Sequence, residues 1–216
     1  MFQEIVKDEI RILNDKLSPF GVSVLEFLSK GTTSFIFLGE YEGKKVIVKF
    51  QRPDSPRKTL WREAEILKLL KDRGITGDIV LYTVIDNREV LVREYLEGTL
   101  LKDLKEIRKW HIIRIAGKTY ALDKLGIDHG QIQGGKHILI GRDVWIIDFE
   151  KASTQRRVKN LTSAIAMLFL AENIISRRVV TTFNISEDFK GLLKSALREY
   201  KKTGNPSKVF DILMLL

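Results

Sequence analysis

Lys44-Lys45-Val46-Ile47-Val48-Lys49 reads as a strand that ends on a lysine, and Leu60-Trp61-Arg62-Glu63-Ala64-Glu65-Ile66-Leu67 follows as a helix with a glutamate set among its apolar residues. On a period-two strand Lys49 shares a face with Ile47. An ammonium on the same side as a buried isoleucine needs an anionic partner, because burial without one is costly. On the helix, successive residues turn by about 100°, so Leu60, Ala64, Leu67 and Leu70 form one stripe with Glu63 inside it and Glu65 nearly opposite. The spacing therefore predicts that Lys49 and Glu63 meet, which solves both burial problems together. The alternatives are an edge lysine and an edge glutamate, each reaching water alone.

The chain has 216 residues, 44% of them apolar, enough for one compact unit or for two small lobes sharing a cleft. Without cysteine it has no disulfide framework, no thiol nucleophile and no thiolate metal site, and three scattered histidines, His111, His129 and His137, argue against a histidine-rich centre. The apolar run from Leu161 to Ala171, interrupted by Thr162 and Ser163, is too short to span a bilayer. The start of the chain reads as an amphipathic helix, not a signal peptide, so a soluble cytoplasmic protein without a membrane partner is expected. The formal net charge of +9 favours polyanionic partners, RNA or a ribosome or a phosphate-rich ligand; a charge-dense surface of the kind found in thermophiles would account for it as well.

Short apolar runs at Val22–Leu28, Phe35–Tyr41, Lys45–Phe50, Ile79–Ile85 and Val90–Tyr95 predict five strands, the last two joined by a turn at Asp86-Asn87-Arg88-Glu89. Asp54-Ser55-Pro56 reads as a helix start and Gly74 as its end. Leu100–Leu125 is expected to be largely helical. A small hairpin should follow around Gly141-Arg142-Asp143, and then more helix. The expected fold is therefore α+β and two-lobed, with an antiparallel five-stranded sheet and a helix in residues 1–96 and a mostly helical second lobe in 97–216.

Asp148 is the third charged residue out of pattern, at the end of the apolar strand Val144-Trp145-Ile146-Ile147 and followed by Phe149-Glu150. A strand-end acid in a cleft suits a metal; a turn or helix-cap aspartate is the plainer alternative. Lysine, helix glutamate and Asp-Phe in this order resemble the ATP site of protein kinases. Val46-Ile47-Val48-Lys49 is similar to the kinase lysine strand, Asp148-Phe149-Glu150 to the Asp-Phe-Gly motif, Arg93–Gly98 to the hinge and His129-Gly130-Gln131 to the catalytic loop. Gly31-Thr32-Thr33-Ser34-Phe35-Ile36-Phe37 resembles the short phosphate loops of RIO kinases and of the small kinases of the tRNA threonylcarbamoyl-modification complex. Together these motifs resemble a compact archaeal group of serine/threonine kinases related to RIO, over roughly Leu25–Ala152.

The resemblance implies a protein-kinase-like fold and a binding site for ATP and Mg²⁺. Backbone amides of Gly31, Thr32, Thr33 and Ser34 would cover the phosphates, and Lys49, fixed by Glu63, would hold the α- and β-phosphates. Ile36, Ile47 and Leu139 would sandwich adenine, the backbone of Glu94 and Leu96 would meet its edge, and Asp148 would bind Mg²⁺. Four departures stand out. Gln131 occupies the place of the catalytic aspartate and cannot take a proton, so it would orient a hydroxyl, or a shifted loop would present Asp128 instead. Lys136 replaces the usual metal-binding asparagine and would neutralise phosphate charge, while Glu150 would recover a metal ligand; alternatively the two pair with each other. The segment after Asp148 is short and basic, Gln155-Arg156-Arg157-Val158-Lys159, with Ser153 and Thr154 as candidates for autophosphorylation; the basic run reads first as a solvated face, with a phosphate-backbone contact as the sharper alternative. Arg93, at the usually apolar position before the hinge, would meet Glu63 or Asp148 if it points inward and would face solvent if the register is shifted by one. The expected activity is phosphoryl transfer to a protein or to the chain itself. A nucleotide-binding pseudokinase, an RNA- or ribosome-associated ATPase and a small-molecule kinase are the alternatives.

Overall fold

The computed structural model describes residues 2–55 and 57–216. It divides into two compact units, Met1–Leu96 and Glu97–Leu216. The chain is α+β, with an antiparallel five-stranded sheet in the first unit and a mostly helical second unit.

In the N-terminal unit helix α1 (Phe2–Leu17) precedes strands β1 (Val22–Lys30), β2 (Ser34–Tyr41) and β3 (Lys44–Gln51). Helix α2 (Leu60–Leu70) and strands β4 (Ile79–Ile85) and β5 (Arg88–Glu94) complete it, in the sheet order β1-β2-β3-β5-β4. Alternation sorts the strands into two faces. Phe35, Phe37, Val46, Val48, Phe50, Val90 and Val92 pack with Val6, Leu13 and Leu17 of α1 into one apolar core. Asn14 fixes α1 to the sheet edge, its side chain bonding both the carbonyl of Val24 (2.9 Å) and the amide of Val24 (2.7 Å). Beside that contact β1 is irregular between Val24 and Glu26, and Gly39 lies opposite Val24. A Cβ on Gly39 would stand 2.5 Å from the Ser23 carbonyl oxygen, so only glycine lets the strands approach there.

The opposite face is set by register. Ile36 stands opposite Lys49, Lys49 opposite Leu91, and Ile47 opposite Arg93, so these five residues share one side of the sheet. Arg93 is buried, and its Nη1 donates to the carbonyl of Glu94 at 3.1 Å.

Helix α2 begins later than the sequence suggests. Its first residue is Leu60, not a position beside Ser55, and Pro56 lies outside the described residues. The reason is a distant cap. The buried carboxylate of Glu89 accepts from the amides of Leu60 and Trp61, both at 3.0 Å, and from the Tyr82 hydroxyl at 2.8 Å. Gln51 donates to the carbonyls of Ser55 and Arg57 and accepts from the Glu89 amide, tying the chain before the helix to β3 and β5. Burial, reinforced by the Glu89 carboxylate, raises the Tyr82 phenol well above its ordinary value.

In the C-terminal unit the expected helix over Leu100–Leu125 is shorter. Strand β6 (Thr99–Leu100) and a 3-10 turn at Leu101–Asp103 come first, and α3 spans Lys109–Lys124. Leu100 pairs with Leu139 in the small sheet β6-β7-β8, where β7 is Ile138–Ile140 and β8 is Val144–Ile146. Tertiary pairing thus claims a residue that periodicity assigns to the helix. Helix α4 (Asn160–Ile165) continues into a π-turn at Ala166–Leu170, followed by α5 (Ile174–Thr182), α6 (Glu187–Thr203) and α7 (Ser207–Leu213). No described helix is long and apolar enough to cross a membrane.

Glu89→Ala would leave two helix amides and a phenol without their acceptor, and should destabilise the protein by about 2–4 kcal/mol. Tyr82→Phe, which removes one of the three bonds, should cost about 1 kcal/mol. Urea unfolding of the two variants checks both values, with the denaturant slope expected to stay unchanged.

Candidate active site

In the N-terminal unit β3 and α2 bring two charges together. Lys49 Nζ donates to Glu63 Oε2 at 2.7 Å, with 7% and 0% of the two side chains exposed. Lys49 arrives on the strand face that also carries Ile36 and Ile47. Glu63 lies one turn beyond the helix end that Glu89 caps, so Glu89 fixes the height of Glu63 along the sheet. Glu65, nearly opposite on the helix, is exposed and pairs with Lys68 at 2.7 Å.

The Gly31–Ser34 loop is a closed turn. The Gly31 amide donates to the Ser34 carbonyl at 2.8 Å. Arg52 closes the turn from outside: its Nη1 donates to the carbonyls of Gly31 (2.9 Å) and Thr32 (3.1 Å), and its amide donates to the Thr33 carbonyl. Asp54 pairs with the same guanidinium, which holds its carboxyl below the ordinary carboxylate range. This corrects one expectation, because the Gly31 amide is engaged within the loop and is not presented to a phosphate. Ser34 is buried at the start of β2. At the other end of the sheet the Glu94 amide donates to the Asp78 carbonyl at 2.8 Å and the Glu94 carbonyl accepts from Arg93 Nη1 at 3.1 Å, so a ligand edge could use only that oxygen's second lone pair.

In the C-terminal unit three anchors hold Asp148. The Ile147 amide donates to the His137 carbonyl at 2.9 Å, and His129 Nε2 lies 3.0 Å from the Ile147 carbonyl. Phe149, fully buried, packs edge-on against the His129 ring at 4.8 Å. Asp148 itself has φ of 66°, in the left-handed region that non-glycine residues enter only when neighbours impose it. Its carboxylate stays 37% exposed, with Oδ2 lying 3.5 Å from Nδ1 of His137. Carboxylate oxygens of Asp148 and Glu150 lie within 4.8 Å of one another, a spacing suited to one shared hard cation. Leu139 is buried in β7.

The loop at His129 is fastened from beneath. Asp123 accepts from the Asn160 amide (2.9 Å), the Asn160 side chain (2.7 Å), the Leu161 amide (3.1 Å) and the Tyr200 hydroxyl (2.8 Å). Asn160 in turn donates to the Ile127 carbonyl and accepts from the His129 amide. Asp123 and Asn160 were missed by sequence reasoning; the only signal is an acid and an amide placed where apolar residues dominate. The Gln131 amide donates to His129 Nδ1 at 3.3 Å, so the ring proton sits on Nε2 and points at Ile147. Burial outweighs the bond to Ile147 and lowers the His129 pKa to about 4.

Two other expectations are revised here. Asp128 is buried, and its Oδ2 accepts from Arg156 Nε at 2.9 Å, while its backbone pairs with Ser153. It is therefore not presented as a base. Lys136 and Glu150 do not pair; Lys136 is exposed and has no ion pair among the described residues. Gly130 has φ of 79°, and a Cβ there would lie 2.6 Å from Arg156 Nη2, so the Asp128–Arg156 contact needs glycine at that position.

No family profile matches the chain. Over 115 residues, half of this chain, it is 36% identical to the uncharacterized protein MJ1211 of Methanocaldococcus jannaschii, of which the match covers 98%. The chain belongs to the family of that protein. It is also 30% identical over 134 residues, 57% of its length, to a probable bifunctional tRNA threonylcarbamoyladenosine biosynthesis protein of Methanothermobacter thermautotrophicus, of which it spans 25%.

His129 should remain neutral until the pH approaches about 4, a value readable from its imidazole signals by NMR. Because the folded pKa lies below the ordinary value of 6.5, the unfolded chain binds more protons in the window between the two. Stability should therefore fall as pH drops from about 6.5 to about 4, by up to about 3 kcal/mol from this group. Urea titrations across that window should show the increment in the natural protein and lack it in His129→Gln.

Proposed function

We propose that this chain is an atypical ATP-dependent kinase of RIO-like type, transferring a phosphoryl group to Ser or Thr on a protein or on itself. The observation that carries the proposal is the buried Lys49–Glu63 pair. An ammonium held by a carboxylate at 2.7 Å on an apolar sheet face is oriented, which suits it to an anionic ligand. The partial likeness to a tRNA threonylcarbamoyladenosine biosynthesis protein supports the same assignment, since the Gly31–Phe37 motif resembles the phosphate loops of the small kinases of that modification complex.

ATP would supply the phosphoryl group, and Mg²⁺ would offset charge on its phosphates. In the N-terminal unit Lys49 would bind the α- and β-phosphates and Glu63 would keep the ammonium aimed. Thr32 and Thr33 form the loop tip left to the phosphates, while Ile36 and Ile47 offer adenine an apolar seat. The Glu94 carbonyl and Leu96 amide would meet its polar edge. In the C-terminal unit Leu139 would offer the base an apolar contact, and Asp148 with Glu150 would hold Mg²⁺. Lys136, exposed and without an ion pair among the described residues, would balance phosphate charge at a position that cannot ligate a second metal.

Gln131 would orient the acceptor hydroxyl. Its amide cannot take the proton, but phosphoryl transfer depends more on positioning and charge than on base catalysis. Nucleotide binding without transfer is the second reading, favoured by Gln131 and by the engagement of Asp128 with Arg156.

Incubation with Mg²⁺ and γ-labelled ATP should label protein, and the label should vanish in Lys49→Ala and Asp148→Ala. A thermal shift with ATP and no label on any acceptor would establish the second reading instead. Glu63→Ala should lower turnover by about 100-fold, because the ammonium loses its orientation. Glu65→Ala, on the exposed side of α2, should change it less than about twofold. Equal effects of the two changes would remove the basis of the proposal.

A further inference from the structure

The charge of the chain is not evenly shared. Glu97–Leu216 carries 21 Lys and Arg against 13 Asp and Glu, whereas Met1–Leu96 carries 16 against 15. Nearly the whole excess therefore belongs to the C-terminal unit. Within it, no acidic residue occurs from Lys151 to Ala171, a stretch that includes Lys151, Arg156, Arg157 and Lys159.

Part of that stretch meets the end of α6 at a cavity of about 530 Å³. Arg157, Lys159 and Lys201 supply its charge, Thr162 and Ser163 line it too, and no carboxylate does. Arg157 is held in place by donating Nη2 to the Lys201 carbonyl at 3.1 Å. Lys159 and Lys201 are exposed and make no ion pair among the described residues. Nearby Lys202 is exposed as well.

Cations at a helix C-terminus answer the helix dipole, and Lys201 and Lys202 stand in the last turn of α6. That dipole amounts to roughly half a negative charge, however, and three full positive charges line the cavity. The surplus has no counter-charge among the lining residues. Two chain segments that are distant in sequence converge to create it, so it is not the solvated face of a single helix.

We propose that this cavity binds the phosphodiester backbone of a nucleic acid. Arg157 offers a planar donor fork to one phosphate, Lys159 and Lys201 offer point charges, and Thr162 and Ser163 offer hydroxyls beside them. The charge excess of the rest of the unit would extend the contact along a polymer. This assignment stands apart from the kinase proposal, since none of these residues serves in that one.

The test is the binding of a short duplex RNA and of a duplex DNA of equal length, followed by fluorescence anisotropy from about 50 to 200 mM salt. The double variant Lys159→Ala/Lys201→Ala leaves Arg157 and its structural bond intact. It should bind about tenfold more weakly, and the slope of log affinity against log salt should fall by about 2. Lys7→Ala/Lys44→Ala removes the same charge from exposed positions of the N-terminal unit and should leave both quantities nearly unchanged. Tighter binding of RNA than DNA would identify RNA as the source of the backbone, and equal binding would identify the backbone alone as ligand. Equal weakening by the two double variants, absence of salt-dependent binding, or displacement of the nucleic acid by a lower concentration of an acidic phosphopeptide would overturn the proposal.

Discussion

The buried pair between Lys49 and Glu63 is the constraint around which the N-terminal unit is organised. Either charge alone in that position would be costly, and removing one partner of such a pair commonly destabilises a protein by about 3–5 kcal/mol. Two apolar side chains of similar volume would nonetheless serve stability as well or better. Stability alone therefore does not account for the pair, which leaves a cation oriented beside an apolar sheet face.

The surrounding polar contacts act as positioning devices for that pair. Glu89 caps α2 from a different strand, Gln51 holds the chain leading into the helix, and the helix then presents Glu63 one turn later. Arg52 plays a comparable part at the Gly31–Ser34 turn, closing it through two carbonyls and its own amide. In the C-terminal unit a buried acid and amide, Asp123 and Asn160, fasten the segment that carries His129, and His129 fastens the residue before Asp148. Each unit thus holds its out-of-pattern charge at the end of a chain of buried hydrogen bonds, which fixes its position.

Much of this was legible in advance. The five strands and the meeting of Lys49 with Glu63 follow from periodicity, because a misplaced charge in an apolar stripe leaves few solutions. The start of α2 was not legible, since its cap comes from Glu89 in β5 and local signals at Ser55 pointed elsewhere. Leu100 was drawn into the small sheet by its pairing with Leu139, which no local preference announces. The engagement of Asp128 with Arg156, and the closed amide of Gly31, likewise depend on partners far along the chain or on loop geometry.

What the sequence determined by itself was the order of elements, the faces of strand and helix, and the residues whose charge had to find a partner. These follow from periods of two and 3.6 residues and from the cost of burying an ion alone. Tertiary structure decided which distant group caps which helix, which carboxylate stays partly exposed and which is tied to an arginine, and where the surplus of positive charge gathers. Those outcomes depend on side chains brought together by packing, and residues as far apart as Arg157 and Lys201 carry no mark in the sequence that they will meet.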